Sequence, residues 1–263
     1  AHSDVTYTAW NGTSGISYTN NTAYVYLTGN ATLNGDLIVD GRTLYLCLNG
    51  KTLSSNGEKK IKVRNNARLV LCDCQGGGTF KGATKNVWGG ACIYLYTSTL
   101  DITGGKVTGK GGGGAIALDD KDCVFNMYGG EISKNDGNKA GGAIFRTFGS
   151  GVNQAGGTFN MYGGTIKDNK AQNGGAFYSV TASTVNLAGG TISGNQSTST
   201  ANNDYTGGGA IYLRGGGKLT ISGTQITGNS AKKDGGAIFT GCRNFTISGS
   251  ANISNNTAGR RGG

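Results

Sequence analysis

A Gly-Gly-Ala element begins at Gly89, Gly113, Gly141, Gly174, Gly208 and Gly235, and Gly262-Gly263 opens one more. Successive copies lie 24, 28, 33, 34, 27 and 27 residues apart. A repeat on that scale marks stacked supersecondary units, each too small to bury a core alone and completed by its neighbours. Other readings of so glycine-rich a chain fail. With 51 Gly among 263 residues, but no Pro and no three-residue period, it is not a collagen. A helical bundle would lose about 1 kcal/mol for each interior Gly relative to Ala. A flexible linker would lack apolar runs such as Leu44 to Leu48 and Arg68 to Cys72.

Within each unit three short segments recur in one order, each with period-two alternation. One follows the Gly pair, as in Ala115 to Leu118, Ala143 to Phe145 and Ala210 to Leu213. The next keeps a polar residue between two apolar ones, the polar positions being Asp101, Asn126, Asn160, Asn186, Thr220 and Thr246. The last centres on a single aliphatic residue, at Val107, Ile132, Ile166, Ile192, Ile226 and Ile253. Three short strands per repeat, punctuated by Gly and Asn, describe one coil of an all-β parallel β-helix. Propeller blades would need four strands, and leucine-rich repeats a Leu spacing that is absent. Asn135, Asn169, Asn195, Asn229 and Asn256 each follow three residues after the Ile. Asn tolerates left-handed backbone and bonds turn backbone, so these residues are expected to form a structural ladder. Residues 24–88 carry the alternation with a looser period and read as the first coils. The β-helix is therefore predicted over 24–263, interrupted at its C-terminal end, with 1–23 as an N-terminal cap over the first coil.

The Gly-Gly-Ala-Ile elements followed by Ile-x-x-Asn resemble the right-handed parallel β-helix repeats of bacterial surface proteins. Those include polymorphic-outer-membrane-protein-like adhesins and the large secreted repeat proteins of gut Firmicutes. Leu46 to Leu53, Leu71 to Cys74 and Phe159 to Ile166 are similar to the latter group. The resemblance spans about residues 24–263. It implies a right-handed, single-stranded, pectin-lyase-like solenoid, a secreted or cell-surface location, and a role as adhesin or structural rod. It also implies an alternative, because many β-helix proteins are polysaccharide lyases or glycoside hydrolases.

Charge and chemistry sharpen this. Lys and Arg number 24 against 14 Asp and Glu, giving a formal charge of +10, so an acidic partner is favoured. The basic residues are dispersed, in runs no longer than Lys59-Lys60, Lys232-Lys233 and Arg260-Arg261. The partner expected is an anionic extracellular glycan or a host surface protein, with no nucleic acid. No stretch of 18 apolar residues exists, so no transmembrane segment is expected, and the chain reads as a monomeric fragment of a larger protein. The six cysteines are scattered. Cys72-Asp73-Cys74 is their one close pair, poor zinc spacing with a single His, and the reading is buried thiols or one or two bridges, with no metal. No motif calls for a cofactor: calcium nonapeptides and phosphate loops are lacking, and His2 lies in the cap, away from any coil nucleophile.

A glycosidase needs two carboxylates roughly 5 to 9 Å apart on one face, and a lyase a base beside groups that neutralise a uronate. The one acidic cluster is Asp119, Asp120 and Asp122, with Arg146 and Arg214 expected at similar positions in neighbouring coils. The structural alternative is a solvated loop. The remaining candidate surface is an aromatic stripe formed by Tyr94, Phe145, Tyr178, Tyr212 and Phe239. If the Ile beside them points inward, these rings stack outward and can hold sugar rings or a protein. If the rings point inward, they are core.

Overall fold

The computed structural model describes residues 5–82, 91–109, 114–146, 156–201 and 205–263. His2, Gly89, Gly113 and Asp204 lie outside the described residues. The alternation sorts each strand onto two faces, because successive side chains of a strand point to opposite sides. In Thr22–Leu27 the inward Ala23, Val25 and Leu27 are buried while Thr22, Tyr24 and Tyr26 are half-buried. Such a strand cannot cover its own apolar face. Stacking it on the equivalent strand of the next coil joins the inward residues into one core running from Trp10 to Ala237.

The described strands form four sheets, and every pairing between their strands is parallel. The first, of ten strands, runs from Thr8–Trp10 through Thr22–Leu27 and Thr43–Cys47 to Asn244–Ile247. A nine-stranded second sheet runs from Ala31–Leu33 to Asn252–Ser254, and an eight-stranded third from Leu37–Asp40 to Ile238–Thr240. The chain visits them in that order, once per coil, which is a parallel β-helix. Register is unshifted along the stack. Val107 pairs with Ile132, Ile132 with Ile166, Ile166 with Ile192, Ile192 with Ile226 and Ile226 with Ile253. A one-residue slip would turn each Ile outward, so burial itself fixes the register.

The coil differs from the expected three strands in its later turns. Lys170–Ala171, Gln196–Ser197, Ser230–Ala231 and Thr257–Ala258 add a fourth, four-stranded sheet. Each is only two residues long and places a small residue, Ala or Ser, on its more buried side. At the other end, Thr8–Trp10 continues the first sheet as its outermost strand, paired with Val25 to Leu27. Trp10 is buried over the first coil and its indole N–H donates to Ser14 O at 2.9 Å. Among the described residues, no helix is long and apolar enough to cross a membrane.

The asparagine column is a continuous hydrogen-bond ladder, buried from Asn135 to Asn229 and half-buried at Asn256. The Nδ2 groups of Asn135, Asn169, Asn195 and Asn229 donate to the Oδ1 of the next member at 2.8 to 3.0 Å. The same groups, and that of Asn256, reach back to the carbonyl of the preceding coil's Val107, Ile132, Ile166, Ile192 or Ile226. Their role is not the one that Asn's left-handed tolerance suggests. The left-handed residue at each turn is the one before, Lys134, Asp168, Gly194, Gly228 or Asn255. That residue turns the backbone, and the Asn amide then satisfies the groups the turn exposes.

Candidate functional site

The outer face of the third sheet in its first rungs carries a basic and aromatic grid. Because every second residue of a strand faces out, Ile61–Arg64 presents Lys62 and Arg64, and Ile93–Tyr96 presents Tyr94 and Tyr96. The parallel register sets Lys62 between Ile38 and Tyr94, and Arg64 between Asp40 and Tyr96. Lys60, Lys62, Val63, Arg64, Tyr94 and Tyr96 line a groove of about 440 Å³. Tyr96 is 48% exposed, so its ring face is open to a ligand.

The cations are positioned rather than loose. Lys62 Nζ lies 2.7 Å from Asp36, and Arg64 meets Asp40 through Nε at 2.9 Å and Nη2 at 2.8 Å. Burial alone would raise the Asp36 carboxyl. The Lys62 hydrogen bond, with the Lys60 backbone N–H and the Lys59 and Lys62 charges, lowers it on balance. Asp40 is also held low, first by the Asn65 amide and then by Arg64. Both acids are thus charged at neutral pH, yet Lys59, Lys60, Lys62 and Arg64 outnumber them. Tyr94 is fixed by donating its hydroxyl to the Asp119 carboxylate. Burial, then that carboxylate, pushes the phenol well above its ordinary value, so it stays a donor. Beyond Ile38 a second hollow of about 450 Å³ is lined by Trp10, Tyr18, Asp36, Ile38 and Arg42, with the Arg42 guanidinium 4.9 Å from the Tyr18 ring centre.

No family model matches the chain, and no curated protein or solved structure matches it significantly.

The acidic cluster does not converge on one cavity. Asp119 faces Tyr94. Asp120 turns inward, accepting from Thr97 Oγ1, from Asp122 N at 3.1 Å and from Cys123 Sγ at 3.0 Å. Those bonds outweigh its burial and keep Asp120 ionised, while burial and then Asp120 raise the Cys123 thiol to about 12. Asp122 is exposed and pairs with Lys121 at 2.8 Å. Arg146 and Arg214 also part company. Arg146 holds the inward register position of Leu118, is 1% exposed, and donates to Asp119 O at 3.0 Å. The pairing of Phe145 with Tyr178, and of Tyr178 with Tyr212, puts Arg214 one residue past the Arg146 position. It therefore faces outward, 3.9 Å above the Tyr205 ring. One residue of offset flips a strand side chain to the opposite face, which separates the two arginines that the repeat pattern appeared to align.

The aromatic stripe faces out, and three of its rings are nonetheless covered. Ile144, Phe177 and Ile211 fill the main core, while Phe145, Tyr178 and Tyr212 form a second cluster with Ala140. Stacked ring centres run from Phe145 to Tyr178 at 5.8 Å, on to Tyr212 at 5.0 Å and to Phe239 at 5.1 Å. Tyr212 Oη donates to Tyr205 O at 3.1 Å, which ties the chain around Tyr205 across the stripe. Burial raises the Tyr178 hydroxyl to about 12, with the neighbouring Tyr212 adding to it. Tyr94 and Phe239 are only half-buried, and of these Tyr94 belongs to the basic groove. Lys60, Lys62, Arg64 and Tyr96 were missed as a site. The signal was the matching alternation in Ile61 to Arg64 and Ile93 to Tyr96, which only an alignment of these two early coils would reveal.

Proposed function

We propose that the chain is a rigid β-helix rod of the bacterial surface-repeat class, secreted or held at the cell surface, and that it binds an anionic glycan. The groove lined by Lys60, Lys62, Arg64, Tyr94 and Tyr96 is the observation that carries this reading. A sulfated or uronate sugar offers an apolar ring face and peripheral anions. Tyr96 supplies an open aromatic surface for the first, and Lys62 and Arg64 on the strand, with Lys60 just before it, meet the second. Parallel stacking keeps these groups at fixed spacing of about 4.8 Å per rung, so little ordering is required when an extended polymer settles along them.

The test is a glycan array with sulfated, uronate and neutral polysaccharides at low and high salt, followed by reducing-end and unsaturated-uronate assays on any glycan bound. Binding should select anionic chains and weaken with salt. Lys62→Gln with Tyr96→Ala should reduce affinity by about tenfold or more, the equivalent of about 1.4 kcal/mol. Lys218→Gln, on the first sheet, should leave it unchanged. Equal binding of neutral glycans, or an unaffected Lys62 and Tyr96 variant, defeats the reading. Product release would establish a lyase or hydrolase in its place.

A further inference from the structure

Three sulfurs on the outer side of the first sheet lie together, away from the groove. Cys47 and Cys72 end the adjacent strands Thr43–Cys47 and Arg68–Cys72 and are directly opposed in the ladder. Cys74 follows two residues later, and the residue between is pinned. Asp73 Oδ1 accepts from Gly50 N and Oδ2 from Gly78 N, each at 2.7 Å. The short loop is thereby held so that Cys74 returns toward the strand ends. The Sγ atoms of Cys47, Cys72 and Cys74 all lie within 4.8 Å of one another. Cys47 and Cys74 are joined in a disulfide, with their Cα atoms 6.7 Å apart. Cys72 Sγ lies outside that bridge, 3.6 Å from Leu46 O and 3.9 Å from the Tyr7 hydroxyl.

The bridge uses two of the three sulfurs, and the third, Cys72 Sγ, stands beside it. Three thiolates around one ion at about 2.3 Å stand about 4 Å apart, and these three sulfurs already lie within 4.8 Å of one another. Thiolate donors select soft cations. A set of three suits Cu(I), whereas structural Zn(II) takes four ligands. Cys47 and Cys72 are buried and Cys74 is exposed, so the set has a protected floor and a side open to solvent.

We propose that, once the Cys47–Cys74 bridge is reduced, Cys47, Cys72 and Cys74 bind one Cu(I) ion as a three-thiolate site. Reduction by a phosphine converts the bridge to two thiols, the phosphine and water taking up the oxidising equivalents as phosphine oxide. Binding then exchanges thiol protons for the ion with no change in copper's oxidation state. Bridge and ion are mutually exclusive occupants of the same sulfurs.

Phosphine-reduced, desalted chain is titrated with Cu(I) under nitrogen against a chromogenic Cu(I) chelator. One equivalent per chain should be withdrawn from the chelator, and the oxidised chain should withdraw none. Cys72→Ser leaves the bridging pair in place and should weaken uptake by at least about tenfold, the least that loss of even an outer partner costs a metal site. Cys74→Ser, at an exposed position that does not threaten folding, should do the same, and Cys242→Ser should change nothing. X-ray absorption should count three sulfurs at about 2.3 Å. No uptake by the reduced chain, uptake unaltered in Cys72→Ser, loss in Cys242→Ser, or a two-sulfur site would each overturn the proposal.

Discussion

Asn169 is fully buried, and its amide serves three neighbours: Nδ2 donates to Ile132 O at 3.0 Å and to Asn195 Oδ1 at 2.9 Å, while Oδ1 accepts from Asn135 N and Nδ2. Removing that amide orphans backbone groups in a dry interior, at a cost of about 1 to 3 kcal/mol for each. Asn169→Ala should therefore destabilise by about 3 kcal/mol in urea unfolding, and a loss under about 1 kcal/mol would mean that water replaces the amide. The column was legible in the sequence because its spacing from the Ile is constant. Its mechanism was not, since the left-handed backbone sits at Asp168, and a side chain's partners in the next coil are set by stacking rather than local preference. Glu131 gives a pH-dependent counterpart. Burial raises its carboxyl, but a hydrogen bond from Ser133 at 2.6 Å and ion pairs with Lys167 at 2.9 Å and Lys106 at 3.0 Å win, lowering it to about 2. A folded-state value below the unfolded one stabilises at pH above the unfolded value, and the benefit disappears as pH falls through the folded one. Denaturation of the wild type should thus lose stability more steeply than Glu131→Gln between about pH 5 and pH 2. Parallel pH profiles would remove Glu131 from the account.

At the scale of the strand and its corner, close approach between coils makes some glycines irreplaceable and leaves others free. A Cβ at Gly175 would lie 2.4 Å from Gly209 O and 2.5 Å from Gln196 N, both backbone atoms of the next coil that cannot step aside alone. A Cβ at Gly35 meets nothing within 4 Å, and its backbone is not left-handed. Gly175→Ala should cost about 3 kcal/mol by overpacking, while Gly35→Ala should be neutral or slightly stabilising. Equal effects in thermal unfolding would show that the corner relaxes. The Gly-Gly-Ala repeat reveals the first class of glycine, because Gly175 belongs to it and Gly35 does not. The strands were equally legible, since Ile132, Ile166 and Ile192 recur at constant distance from their turns. The groove was less so. Lys62 and Arg64 precede the regular repeats, where spacing is loose, and their juxtaposition with Tyr94 and Tyr96 is a product of register across coils. The separation of Arg146 from Arg214 has the same origin, because position within a repeat does not specify a face until the register is fixed.

For the whole molecule, stacked coils bond only to their neighbours, so stability is a sum of coil and interface terms and the ends open before the middle. The ends are unequal here. Over the first coil, Trp10 is buried and Thr8–Trp10 pairs with the outermost full strand. Among the described residues, Asn244–Ile247 pairs on one side with Lys218–Ile221, and Phe245 and Ile247 are 40% and 52% exposed. Inward positions that are fully covered in Val185 and Leu219 are thus open in Phe245, on the same column. Native-state hydrogen exchange should show a gradient: strongest protection in Val124–Met127, Thr158–Met161 and Thr184–Leu187, intermediate in Thr22–Leu27, and weakest in Asn244–Ile247. Because Asn169 bonds to the coils on both sides through Asn135 and Asn195, Asn169→Ala should also lower protection in the rungs on either side before it affects Thr22–Leu27. Uniform protection across the strands, or a uniform loss in that variant, would mean that the coils open as one cooperative unit and that the nearest-neighbour description of this β-helix is wrong.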